Sequence, residues 1–159
     1  MGGGGKAAPV ATTSVLIVDD HLLVTQTVAS YLDTVGGFAV RSARNLDEAM
    51  VAIADEGSFD VVLLDFRLPN PITVEDVQML IDANRSGSVA LFSGTVDRDF
   101  VMDAVRVGCR GLLSKSTQLE RLSPILHLIA AGVPYLPPDL LAVHDMFSRD
   151  PDELNETER

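Results

Sequence analysis

The chain is predicted to form an α/β domain: a doubly wound, five-stranded parallel sheet flanked by five helices, followed by a C-terminal linker helix. Three observations carry this. Short, apolar, β-branched runs recur along the chain. They lack the in-out alternation of a sheet with one wet face, so they read as strands buried on both sides. Segments of helical period separate them, and that alternation implies right-handed crossovers between parallel strands.

The first strand is "SVLIVDD", four apolar residues running straight into Asp19 and Asp20. "HLLVTQTVASYLDTVGG" follows as a helix, with Leu22, Leu23, Val28, Tyr31, Leu32 and Val35 broadly on one stripe and Gly36-Gly37 as the stop. "FAVRSA" is the second strand. "NLDEAMVAIADEG" is the second helix, capped by Asn45 with Glu48 three residues on, and with Leu46, Ala49, Met50 and Ile53 facing the core. "DVVLLD" is the third strand and ends in Asp65; "TVEDVQMLIDANRSG" is the third helix, with Thr73 and Asp76 in capping-box positions. "SVALFSG" is the fourth strand, and "VDRDFVMDAVRVGCRG" the fourth helix, ending near Gly108 or Gly111. "LLSK" is a short fifth strand, and "TQLERLSPILHLIAAG" the fifth helix, with Thr117 and Glu120 as its capping pair.

Composition limits what such a domain can do. At 159 residues there is room for one ordinary domain and a little more. A net charge of −11 argues against gripping nucleic acid, which needs clustered Lys and Arg. The single cysteine, Cys109, rules out an internal disulfide and fits a cytoplasmic location; it packs or sits near the end of the fourth helix. No stretch has the apolar length of a membrane span. Residues 1–13, "MGGGGKAAPVATT", read as a flexible leader rather than a signal peptide.

In doubly wound sheets ligands bind outside the carboxyl ends of the strands. Asp19 and Asp20 end the first strand, Asp65 the third, Ser93 the fourth and Lys115 the fifth, so all five belong to one edge. Three carboxylates confined together are costly unless a cation neutralises them. Hard oxygen donors suit Mg²⁺, usually held by one or two carboxylates plus a phosphate. A phosphoryl group meets the remaining need: one Asp can attack it, while metal, Lys115 and the Ser93 hydroxyl stabilise its oxygens. Taken singly, each residue has a plainer reading as a cap, turn or solvated side chain; the five together at four strand ends are more specific. His21 is read as a surface residue in the first turn of the first helix, and His127 and His144 as ordinary helix residues.

The phrases "LIVDDH", "DVVLLDFRLP", "LFSG" and "GLLSK" resemble the receiver domain of two-component response regulators, a flavodoxin-like fold, over roughly residues 14–131. The "VDDH" start and "LIAAGVPYLPPDLL" are similar to the NarL/FixJ (LuxR-type) subfamily. There a linker leads to a helix-turn-helix DNA-binding domain, and the closing "LNETER" resembles the start of one. The resemblance implies that residues 132–159 are linker and the truncated beginning of that domain, with "PPDLLAVHDMF" as linker helix. It implies Asp65 as phosphoacceptor, Mg²⁺ on Asp19, Asp20, Asp65 and the Arg67 backbone carbonyl, Ser93 as switch hydroxyl and Lys115 as the phosphoryl contact. Gly94 leaves access to the site. The implied partners are a sensor histidine kinase and a second copy through the receiver, with DNA reached only through the missing C-terminal domain and no membrane. The domain is then no enzyme beyond catalysing its own phosphotransfer and dephosphorylation.

Two departures stand out. Leu112 replaces the frequent aromatic three residues before the lysine, and the loop after Asp65, "RLPNPITVED", holds two prolines and no glycine. They motivate an alternative: a phosphorylation-independent receiver that acts as a protein–protein interaction module. An aspartyl-nucleophile phosphatase fits worse, because Arg67 and His21 stand where its second Asp belongs. A Rossmann module lacks its Gly-rich turn.

Overall fold

The computed structural model describes residues 12–65, 71–95 and 97–136. Five strands, β1 (Thr13–Val18), β2 (Phe38–Ala43), β3 (Val61–Leu64), β4 (Ser88–Ser93) and β5 (Leu112–Ser114), form one sheet in the order β2-β1-β3-β4-β5. Every adjacent pair is parallel. The helices between and after them are α1 (Leu22–Val35), α2 (Leu46–Glu56), α3 (Val74–Ala83), α4 (Arg98–Arg106) and α5 (Leu122–Ala130). The expected architecture is therefore present over the described residues.

The alternating pleat of the central strands feeds two cores. Leu16, Val18, Val62, Leu64, Val89, Leu91 and Leu112 pack with α2, α3 and α4. Val15, Ile17, Val61, Leu63, Ala90, Phe92 and Leu113 pack with α1 and α5. This is why these strands read as unbroken apolar runs: both faces are covered. At the β2 edge burial alternates instead.

Local signals act as expected in three helices, and α4 has a cap of its own. The Asn45 side chain accepts from the Glu48 N–H, and Thr73 with Asp76 closes a full capping box. Asp97 caps α4 through the Phe100 N–H. Gly36, at φ 85°, ends α1 with its N–H on the Leu32 carbonyl, a conformation that costs glycine nothing. Cys109 is buried just past α4, and His127 lies in α5.

Two expectations are corrected. Thr117 and Glu120 do not cap α5: Leu119–Arg121 is a 3₁₀ turn, α5 begins at Leu122, and no side chain caps it. Pro124 accounts for this. It has no N–H and is tolerated only where that N–H would be unpaired, so the α-helix begins with Pro124 inside its first turn. The stripe of α1 is also shifted. Thr25, Val28 and Leu32 are its buried residues, whereas Leu22, Leu23 and Val35 are exposed. Among the described residues nothing covers Leu22 and Leu23 in the first turn of α1.

After α5 the chain returns to the sheet. Tyr135 makes a parallel bridge to Gly111, its carbonyl accepting from the Leu112 N–H at 3.0 Å and its N–H donating to Arg110 at 3.1 Å. Residues 133–136 thus lie along the outer edge of β5. The linker helix, His144 and the "LNETER" segment lie outside the described residues.

Candidate functional site

The strands deliver their terminal residues to one edge by backbone pairing. The Asp19 N–H donates to Ala43, the Asp65 N–H to Val18 and the Lys115 N–H to Ser93, each at 2.9 Å. Asp19, Asp65 and Ser93 are all buried, 2%, 1% and 3% exposed, while Asp20 faces out. Ionised side chains do not stay buried without partners, and the partners are present.

Lys115 supplies the cation. Its Nζ lies 2.7 Å from Asp19 Oδ2 and 3.0 Å from Asp65 Oδ2, and 5.8 Å from the centre of the Phe92 ring. Burial pushes the Asp19 carboxyl up, but contact with the Lys115 ammonium and hydrogen bonds from the His21 backbone and ring outweigh it, holding Asp19 below the usual carboxylate range. Burial likewise lowers the Lys115 ammonium, and contacts with Asp19 and Asp65 reverse that, leaving it raised.

His21 belongs to this cluster, which corrects the reading of it as a surface residue only. It occupies the N-cap of α1 and its side chain is 57% exposed, yet it caps nothing. Its ring Nδ1 points at the acids, 2.7 Å from Asp19 Oδ1, 3.7 Å from Asp20 Oδ1 and 3.6 Å from Asp65 Oδ2, and 3.0 Å from Lys115 Nζ. The signal available in the sequence was the residue type itself. An N-cap favours Ser, Thr, Asp or Asn, and a histidine there is a poor local choice.

Ser93 stands at the same edge, and its Oγ accepts from the Thr95 N–H at 3.2 Å. Gly94 opens that corner: a Cβ there would meet nothing within 4 Å. Arg67 falls outside the described residues. Leu112, 1% exposed, is packed into the core rather than placed at the surface.

The donor set fits a divalent cation. One ligand atom each from Asp19, Asp20, His21 and Asp65 lies within 4.8 Å of the others. Asp19 Oδ2 is buried, accepts no hydrogen bond and is paired with the Lys115 ammonium at 2.7 Å as an ion pair. Among the described residues, three carboxylates gather beside the Lys115 ammonium, a donor set that a bound divalent cation would suit.

Comparison with known proteins decides the family. The response regulator receiver domain family matches residues 15–127, most of the chain. The protein is a member of that family. This receiver is 27% identical over 154 residues to the nitrate/nitrite response regulator protein NarL of Escherichia coli K12, covering 92% of this chain and 71% of NarL. It is 27% identical over 128 residues to the glycerol metabolism activator of Pseudomonas putida, covering 80% of this chain but only 58% of that relative. Among solved structures, a LuxR family DNA-binding response regulator from Silicibacter pomeroyi superposes with a TM-score of 0.68 at 28% identity, over 80% of this chain and 98% of that one. The fold is shared with CheY4 of Vibrio cholerae at a TM-score of 0.67. Receivers are signalling domains of two-component systems. Among the described residues, no helix is long and apolar enough to cross a membrane.

Proposed function

We propose that this receiver is a phosphorylation-dependent switch, with Asp65 accepting a phosphoryl group from a phosphohistidine of a sensor kinase. The observation that carries the reading is the Lys115 ammonium held between Asp19 and Asp65 at the carboxyl edge of the sheet. An Asp65 oxygen attacks phosphorus, the P–N bond to the donor imidazole breaks, and that imidazole leaves with a proton. Lys115 is placed to follow the incoming oxygens, and Ser93 to donate its hydroxyl to one of them. Mg²⁺, on Asp19, Asp20, Asp65 and the Arg67 carbonyl, would supply Lewis-acid charge to the same oxygens. Exposed Leu22 and Leu23, 66% and 77% accessible beside the acids, offer the donor protein an apolar landing.

The consequence is a shift of population in the β4–α4–β5 region. Ser93 and Lys115 are joined through the sheet, and the 133–136 segment is bonded to β5, so displacement at the site reaches the chain leading to residue 159. In this proposal residues 1–13 are leader, 14–131 the receiver, and 132–159 linker and the start of a helix-turn-helix domain. The receiver forms a homodimer, and the output domain binds DNA in transcription regulation in the cytoplasm. Self-catalysed dephosphorylation belongs to the same site.

One observation favours the second reading, a phosphorylation-independent interaction module: Leu112 is already buried and has no inward movement left to make. Intact mass after incubation with Mg²⁺ and acetyl phosphate separates the two. The switch predicts one added phosphoryl group on the wild type and none on Asp65→Asn. A wild type that binds no Mg²⁺ and gains no phosphoryl group, from acetyl phosphate or a kinase, speaks for the module.

A further inference from the structure

We propose that His21 is a ligand of the cation site through Nδ1, giving it a nitrogen donor and a preference for first-row transition ions over Mg²⁺. The inference rests on the reading of the acidic edge as a divalent-cation site.

Geometry is the first support. Ligands adjacent around an ion at bond lengths of about 2.1 Å lie about 3 Å apart. His21 Nδ1 is 2.7 Å, 3.6 Å and 3.7 Å from oxygens of Asp19, Asp65 and Asp20, the spacing of neighbours in one coordination shell. The side chain of Asp19 has no exposed surface, and its Oδ2, 2.7 Å from the Lys115 ammonium, accepts no hydrogen bond, so the shell contains a charged, inward-facing oxygen that a metal ion can share with that ammonium.

The second support is an unresolved demand on one atom. Nδ1 is within hydrogen-bond reach of a carboxylate at 2.7 Å and of an ammonium at 3.0 Å. With its proton it can donate to Asp19 but accept nothing from Lys115; without it the reverse holds. A cation bound by Nδ1 and Asp19 removes the conflict and frees the Lys115 ammonium. The third support is local. His21 sits where a helix favours a capping side chain, and its ring turns from the helix amides towards the acids.

Imidazole suits Fe²⁺, Ni²⁺ and Zn²⁺, and Co²⁺ lies between Fe²⁺ and Ni²⁺ in the affinity order, whereas carboxylates and water suit Mg²⁺ and Mn²⁺. Nitrogen ligation therefore shifts selectivity without abolishing Mg²⁺ binding. The test uses the metal ions alone. Dissociation constants for Co²⁺ and Mg²⁺ are measured calorimetrically on wild type, His21→Ala, His21→Ser and Asp20→Asn, and electron spin-echo modulation from ¹⁴N is recorded on the Mn²⁺ forms. His21→Ser restores a good N-cap, so helix stability and ligation are separated. His21→Ala and His21→Ser are expected to weaken Co²⁺ at least tenfold and Mg²⁺ less than threefold, and to lose the ¹⁴N modulation seen in the wild type. Unchanged Co²⁺ affinity in both variants, equal weakening of both ions, or no ¹⁴N modulation in the wild type overturns the role of His21. If the wild type binds neither ion, or Asp20→Asn changes nothing, the cation-site reading itself fails, and this inference with it.

Discussion

Replacing Lys115 by methionine keeps most of the side-chain stem and removes the ammonium that faces two buried carboxylates. At 2.7 Å and 3.0 Å the contacts with Asp19 and Asp65 are each worth a gross attraction of roughly 6 kcal/mol at an effective dielectric of about 20. Desolvation of the ammonium offsets much of that. Breaking a buried pair by removing one partner costs about 3–5 kcal/mol, because the other charge stays buried. The Lys115 side chain is 14% exposed, which places the loss at the lower end, about 3 kcal/mol. For a domain of this size that lowers Tm by roughly 12 °C. The assay is thermal melting at pH 7 in a metal chelator. The pH dependence gives a second check. In the wild type Asp19 is held below its ordinary pKa of 3.8, so its contribution is present above that value and lost as the pH falls through the lower folded one. Without the ammonium, burial is opposed only by the His21 hydrogen bonds, so Asp19 moves upward from its wild-type position and its contribution is lost at a higher pH than in the wild type. A fall in Tm below about 3 °C, or an acid limb of the stability profile unchanged from the wild type, would refute the reasoning.

Three further predictions concern the framework. Gly111→Ala places a Cβ 2.4 Å from the Tyr135 carbonyl oxygen, so the 133–136 segment must lift off β5; the loss is about 1–3 kcal/mol, with faster amide exchange at Leu112 and Tyr135. Asn84, fully buried, pairs with both the N–H and the carbonyl of Phe59 at 2.7 Å and 3.0 Å. Asn84→Ala leaves both groups unpaired and costs about 2–4 kcal/mol in a denaturant titration. Burial pushes the Cys109 thiol up to about 11 from 9.0, so a thiol reagent at pH 8 should label it only in denaturant. The sign follows: the folded state holds this proton more tightly, so its contribution persists below pH 9.0 and is lost as pH rises towards about 11.

The sheet was legible because each central strand is buried on both faces and shows it in composition, as "VLIV" and "VVLL" do. The acidic edge was legible for the same reason, since residues that end parallel strands share an edge whatever the helices do. What escaped was decided by tertiary placement or by one residue overriding a local pattern. Leu22 and Leu23 have helical spacing, but among the described residues their turn of α1 is left exposed. Thr117 and Glu120 have capping spacing, but Pro124 sets where α5 can start. The Tyr135 bridge depends on a contact between residues 111 and 135, which no local pattern records. His21 in isolation has the pattern of a surface residue, and its ring orientation is set by Asp19 and Lys115, contacts that local sequence does not order.

The central claim is that the phosphoryl group enters on Asp65. Borohydride reduction converts an aspartyl phosphate to homoserine, so the acceptor can be read at residue level by peptide mass after phosphorylation in Mg²⁺. The account predicts homoserine at position 65 in the wild type and at no position in Asp65→Asn. Homoserine at 19 or 20, or phosphate retained on Asp65→Asn, would contradict it.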